Sequence, residues 1–410
     1  MTDFYPRWQQ STIERMLNKR RILLLSGPRQ CGKTTLARSL QSDDAAYLTL
    51  DDTTLEAAAQ NDPHTFVKHQ SKTLIIDEIQ RVPSLLTAIK KVVDEDNRPG
   101  QYLLTGSANI QALPNVQESL AGRVSNIRLR PLSQGEQQQK TPSFLERAFS
   151  GHVDKGSEFY DRDTLLDIAL SGGFPESLTL DSLERKAWHL DYIQAMLERD
   201  LKDIAKIQRQ DAMRELVSVL AAWSSKFMDI ASIGKGLSIR RPTVESYISA
   251  LEALYLVERV RPWTKTDYER VGKQSKLFMT DCGLMASLLG WRMDQIRLDS
   301  DRSGKLIETF AFNELASQVD VHKPRYQLYH YRDREKREID FIIEREDGAL
   351  LCVEIKAGSS VKNNDFKHIH WFKKHLAKDN PVTGVILYSG EHIAAFGEGL
   401  WVVPFGELWR

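Results

Sequence analysis

The sequence predicts an α/β chain in three parts: a parallel sheet with helices on both faces at the N-terminus, a mainly helical middle, and a second α/β unit at the C-terminus. Three observations carry this. Short apolar runs alternate with helix-like stretches up to residue 109, and such alternation requires crossover connections and a parallel sheet. In the middle, Val244, Tyr247, Ile248 and Leu251 recur at i, i+3, i+4 and i+7, one apolar helix face. Beyond residue 304 an amphipathic helix gives way to the strand-like runs YQLYHYR, EIDFIIERED and ALLCVEIKAG.

The elements follow in order. Residues 1–20 read as helix, RILLLS as a buried strand, LARSLQS as helix, then AYLTLDD, TLIIDEIQ and QYLLTGSAN as strands, with the helix SLLTAIKKVVDED between the last two. The unit closes after IRLRPLS, so the first domain spans 1–135. Residues 136–205 form a loop-rich connection and helical segment, broken by SGGFPE, where Gly172, Gly173 and Pro175 mark a turn. A helical, winged-helix-like unit covers 206–295 and the last α/β unit 296–410.

Composition narrows the function classes. The 410 residues suffice for two to four domains at roughly 100–200 residues each. Lys plus Arg and Asp plus Glu both number 56, so bulk attraction does not hold the chain on nucleic acid, and any such contact needs a local basic patch. Cys31, Cys282 and Cys352 are far apart in sequence, without metal-ligand spacing, which fits a reducing compartment and no structural zinc. The N-terminus has no apolar signal-peptide core, and no apolar run approaches the ~20 residues that span a bilayer. The expected location is the cytoplasm, without membrane attachment.

The strongest motif is Gly27-Pro28-Arg29-Gln30-Cys31-Gly32-Lys33-Thr34, followed by Thr35. It fits GxxxxGK[ST], with a strand before and a helix after. Glycines let successive backbone N–H groups converge on phosphate oxygens, and the helix that starts there adds its positive end. Lys33 is expected to reach the β- and γ-phosphates of ATP, and Thr34 to place its hydroxyl on Mg²⁺. TLIIDEIQ releases Asp77 at the C-terminal edge of the neighbouring strand, where ligands bind in open α/β sheets. Asp77 is expected to hold Mg²⁺ and Glu78 to act as general base on water. Thr105 and Ser107 end the next strand, either to touch the γ-phosphate or water or as an ordinary turn. Arg123 reads as an arginine finger, in cis or from a second subunit of a homo-oligomer, or as a surface ion pair.

GPRQCGKTT, YLTLDD, LIIDEIQ, LLTGS and AGR…LRPLS together resemble a prokaryotic AAA+-type P-loop ATPase over the first ~135 residues. SGGFPE, LERDL and EIDFII…VEIKAG resemble the DUF4143-type region that accompanies this ATPase, so the resemblance covers nearly the whole chain. It implies ATP binding and hydrolysis.

MDIASIGKGLSIRRPTVESYISALEALYLVERVRP reads as helix, turn, second helix and strand-like return. Arg240, Arg241, Thr243 and Ser246 lie at or near the start of the second helix, where a recognition helix meets DNA, and Lys235, Lys273 and Lys276 are expected to meet phosphates. The alternative is a packing module with a solvated basic face.

At the C-terminus, Glu354 and Lys356 alternate in CVEIKAG and so share one strand face, Asp340 stands in EIDFII, and Glu308 lies on a helix. This set resembles the PD-(D/E)XK nucleases, although Ile339 replaces the usual proline before the aspartate. The resemblance implies Mg²⁺, or Mn²⁺, held by Asp340 and Glu354 with Glu308 in support, Lys356 as the catalytic cation, and DNA as substrate. The alternatives are a unit that keeps the fold only for binding, and a buried Glu–Lys pair kept as a structural ion pair. His368, His370 and His375 read as surface or packing residues.

Overall fold

The computed structural model describes residues 5–107, 122–153, 159–201, 209–266 and 274–409. Five strands, β1 (Ile22–Ser26), β2 (Ala45–Thr49), β3 (Thr73–Asp77), β4 (Tyr102–Gly106) and β5 (Val124–Arg128), form one parallel sheet in the order β2-β3-β4-β1-β5. β1, β3 and β4 are buried along their whole length. Alternate residues serve opposite faces. Ile22, Leu24, Ile76 and Leu104 pack on helix Ser84–Glu95 through Leu86 and Ile89. Leu23, Leu25, Ile75 and Leu103 pack on helices Gln9–Leu17 and Lys33–Ser39 through Ile13 and Leu36. β5 carries only one fully buried residue, Ile127, and its run VSNIR has no apolar block to reveal it.

In the middle, helix Gln210–Trp223 leads to β6 (Lys226–Phe227), helices Ile230–Gly236 and Arg241–Ala253, then β7 (Val257–Val260) and β8 (Lys276–Met279). The strands form a small antiparallel sheet in the order β6-β8-β7. Lys273 lies outside the described residues.

The C-terminal sheet contains β9 (Tyr326–Arg332), β10 (Glu338–Arg345), β11 (Leu350–Lys356), β12 (Val382–Tyr388), β13 (Ala394–Ala395) and β14 (Leu400–Pro404), in the order β13-β14-β12-β11-β10-β9. Helix Ser300–Val321 crosses it. The strand runs expected from sequence form here, and β13 and β14 are additional. One apolar cluster runs from Phe144 through Leu216, Val244 and Phe310 to Trp409 and so joins the middle and C-terminal parts, while a second, with Trp263, Ile342, Phe372 and Ile386, belongs to the C-terminal sheet. Among the described residues, no helix is long and apolar enough to cross a membrane.

Buried polar contacts just beyond β5 join the N-terminal unit to the rest. Arg130 Nε bonds Asp320 Oδ2 at 2.6 Å, and its terminal nitrogens reach Glu258 at 2.9 and 3.1 Å. Glu314 accepts the Gln134 N–H at 2.7 Å, and burial pushes its carboxyl up to about 8. Folding therefore favours its protonated form. That contribution is complete below the unfolded value of about 4.5 and is lost as pH rises toward 8. Glu314→Gln keeps an acceptor and cannot ionise. Its melting temperature should match the parent's near pH 5 and exceed it at about pH 9, where the variant is the more stable by on the order of a few kcal/mol. Parallel melting profiles across this range would exclude the assignment.

Candidate functional site

Gly27 leaves β1 where a Cβ would stand 2.1 Å from the Leu129 carbonyl oxygen, and Gly32 adopts φ +98° as it caps helix Lys33–Ser39. Only glycine meets both demands cheaply. The Cys31 side chain is fully buried in the apolar core and anchors the loop there. Lys33 folds back across the loop, its Nζ donating to Gly27 O at 3.0 Å and Pro28 O at 2.7 Å. A nucleotide phosphate has to replace these carbonyls as its partner. Arg7, which sequence reasoning missed, braces the loop from outside. It donates to Cys31 O at 2.6 Å and Arg130 O at 2.7 Å and pairs with Glu136 at 3.0 Å.

Asp77 ends β3, but β3 does not adjoin β1: β4 lies between them. This corrects the expectation that Asp77 acts from the neighbouring strand. Thr105, on the intervening β4, donates its hydroxyl to Asp77 Oδ1 and accepts the Glu78 N–H at 3.1 Å. Tyr47 on β2 donates to Asp77 Oδ2 at 2.8 Å. Burial, then this bond to a carboxylate, pushes the Tyr47 phenol up to about 12. Gln80 Nε2 donates both to Glu78 Oε2 and, at 3.1 Å, to Ser107 Oγ. Glu78 has φ +59°, a left-handed conformation that costs a non-glycine residue ~1–3 kcal/mol and is found where surrounding contacts fix a functional side chain. Asp77, Glu78, Thr105 and Ser107 are thus brought together, with Tyr47 and Gln80 as members that the sequence did not single out.

A cavity of about 970 Å³ opens beside this set, between Lys33, Thr34 and Glu78 on one side and Pro175, Trp188 and Tyr192 on the other. It is large enough for a nucleotide. Trp188 and Tyr192 sit one turn apart on helix Ser182–Ala195 and stack at 5.4 Å with 9° between their planes. The Tyr192 hydroxyl donates to Arg29 O at 3.4 Å. Thr34 lines the cavity and Asp77 ends the strand beside it, and both offer hard oxygen donors of the kind magnesium prefers. The donor chemistry fits a magnesium-bound nucleotide.

Arg123 lies elsewhere. β5 runs parallel to β1 with Ile22 opposite Val124, so Arg123 stands at the edge where strands begin and the phosphate loop stands where they end. Four residues of strand, about 13 Å at ~3.3 Å each, separate the edges. Arg123 pairs with Asp94 at 2.6 and 2.9 Å. A finger in cis is excluded by this geometry.

The C-terminal set also forms, with a change of membership. Glu308, Asp340 and Glu354 converge, joined by Glu338, which shares the strand face of Asp340 two residues away. Lys276 enters from β8. Its side chain is 1% exposed, and its Nζ lies 2.5 Å from Glu308, 2.8 Å from Glu338 and 3.2 Å from Asp340. Lys276 is therefore not a surface contact for phosphates: the carboxylates draw it inward. Asp340 Oδ2 also accepts the Ile355 N–H at 2.9 Å. Burial raises the Glu308 carboxyl to about 8 against the pull of Lys276. Burial, then Asp340, lifts Glu354 well above the carboxylate range. Lys356 turns away and pairs with Asp365. These residues do not fit a divalent metal, because an ammonium already stands among the ligands. Among the described residues, no group of three or more His, Cys, Asp or Glu side chains is arranged to hold a metal ion. His368 bonds the Glu338 carbonyl at 2.9 Å, His375 stacks on Trp371, and His370 is exposed.

Comparison with known proteins adds family matches. Residues 162–295 and 303–408 match two domains of unknown function, DUF8612 and DUF4143, and residues 19–138 match the AAA domain family AAA_14. The uncharacterized proteins Rv2008c of Mycobacterium tuberculosis and Mb2031c of Mycobacterium bovis are each 29% identical over 401 residues, covering 97% of this chain and 82% of theirs. Among solved structures, a point variant of Thermotoga maritima RuvB is 17% identical over 61% of this chain and 88% of that one, with a TM-score of 0.28. AMPPCP-bound DnaA from Aquifex aeolicus is 13% identical over 59% and 85%, also with a TM-score of 0.28. With the parallel sheet and phosphate loop described above, residues 19–138 are similar to the AAA_14 type of AAA domain and residues 303–408 to the DUF4143 domain.

Proposed function

We propose that the chain is an ATP-hydrolysing switch in which nucleotide occupancy sets the position of helix Ser182–Ala195 against the AAA domain. The observation that carries this reading is the linked set of Asp77, Glu78, Thr105, Gln80 and Ser107 beside a cavity that the phosphate loop closes on one side and this helix on the other. Lys33 exchanges its two carbonyl partners for phosphate oxygens. Thr34 and Asp77 would hold magnesium, whose charge would offset that of the phosphates. Glu78 takes a proton from the attacking water, oriented by Gln80 and Ser107. The base lies against Trp188. Arg123 enters this reading only from a second copy of the chain.

A second reading adds DNA. It is favoured by the exposure of Lys235, Arg240 and Arg241 around the turn between helices Ile230–Gly236 and Arg241–Ala253, and by a helix and strand order matching a winged helix. One experiment covers both readings. Calorimetric ATP binding and phosphate release are measured with and without duplex DNA. Glu78→Gln should keep ATP affinity and lower kcat by ~10²-fold or more. Unchanged turnover in that variant would sink the hydrolysis scheme. Salt-sensitive stimulation by DNA, lost in the double variant Arg240→Ala, Arg241→Ala, supports the second reading, and its absence leaves the switch alone.

A further inference from the structure

We propose that the Lys276 ammonium is the resident cation of the C-terminal carboxylate cluster, standing in the position a divalent metal would take, so that the cluster ties the middle unit to the C-terminal sheet and is not a phosphodiesterase centre. An ammonium has three N–H donors and no acceptor. Here three carboxylates, Glu308, Glu338 and Asp340, surround it within 2.5 to 3.2 Å, and the side chain is sealed from solvent. A magnesium or manganese ion needs the same oxygens at about 2.0–2.2 Å, and two cations cannot share that space.

Two independent features agree. Lys356, the lysine that a nuclease-like centre directs at the metal-bound water, is committed to Asp365, whose carboxylate also accepts the Lys362 N–H at 2.7 Å. The lysine in the centre comes from a different unit. β8 belongs to the small middle sheet, whereas Glu338 and Asp340 lie on β10 and Glu308 on helix Ser300–Val321. Backbone contacts run across the same junction: Trp263 N–H to His330 O at 2.6 Å and His330 N–H to Arg261 O at 3.1 Å. The Phe227 ring, 5.5 Å from the Lys276 nitrogen, lies beside the ion cluster. The lysine's origin, the backbone contacts and the ring all serve a tie between units, and the commitment of Lys356 to Asp365 takes from the centre the cation a nuclease would use.

The test reads metal uptake by the full chain without nucleotide, following free Mn²⁺ by electron paramagnetic resonance. The parent protein should take up no Mn²⁺ at millimolar concentration. Lys276→Ala should gain one Mn²⁺ per chain, and adding Asp340→Asn should remove it. A parent protein that binds one Mn²⁺ lost on Asp340→Asn overturns the proposal, as does a folded Lys276→Ala chain that binds none. If Lys276→Ala does not fold, the parent measurement alone decides: no uptake supports the proposal, and Asp340-dependent uptake overturns it.

Discussion

Lys33→Ala is expected to abolish ATP hydrolysis and to weaken ATP binding by ~10²-fold or more, since a charge-assisted contact and the loop it closes are lost together. The side chain is buried and donates to two loop carbonyls. Alanine removes the cation for the β- and γ-phosphates and also leaves Gly27 O and Pro28 O without that donor. Lys33→Arg should not restore turnover. The planar guanidinium is too wide for a place where a compact ammonium meets two carbonyls 3.0 and 2.7 Å away. Calorimetry with ATP and a phosphate-release assay check both variants. Turnover in Lys33→Ala at the parent rate would rule out the phosphate loop as the catalytic site.

Arg130→Met is expected to cost ~3 kcal/mol of stability, the lower end of the range for breaking a buried ion cluster by removing one partner. The size follows from what remains. Arg130 is 6% exposed and serves Asp320 and Glu258 at once. Glu258 keeps Arg128 at 2.7 Å, and Asp320 keeps Lys323, so neither carboxylate is orphaned. Burial raises the Glu258 carboxyl, but Arg128 and then Arg130 outweigh it and hold the group at about 2. Its contribution is therefore present above the unfolded value near 4.5 and is lost as pH falls toward 2. Urea denaturation of the parent, Arg130→Met, Asp320→Asn and the double variant checks this. The double variant should lose less than the sum of the singles. A single-variant loss below ~1 kcal/mol would mean that the junction is peripheral.

The phosphate loop, Asp77 and Glu78 are legible in the sequence because local chemistry fixes them: two glycines at set spacing, a lysine at a helix start, and carboxylates released by the three-residue apolar run Leu74 to Ile76. The order of strands is not legible. Nothing in TLIIDEIQ or QYLLTGSAN says that β4 inserts beside β1, and that insertion is what gives Thr105 its contact with Asp77. Long-range partners are equally hidden. Arg7 meets Glu136 across a separation of 129 residues, a pairing that no periodicity encodes. Alternation finds the C-terminal carboxylates, and the same rule applied to EIDFII would have added Glu338. Sequence reasoning places Lys276 at the surface, although its position within the apolar run KLFM already hints at a buried lysine. Only tertiary packing shows which anions it meets.

The N-terminal arm has a practical corollary for dissecting the molecule. Besides Arg7, the Trp8 backbone N–H meets Glu136 at 2.9 Å and its indole N–H meets Lys140 O at 2.7 Å. A fragment severed after residue 135 would strand a buried guanidinium beneath the phosphate loop with its counter-anion cut away. Excision of the ATPase portion for separate study must therefore carry the chain through residue 140, or the isolated piece will misreport the loop's own affinity.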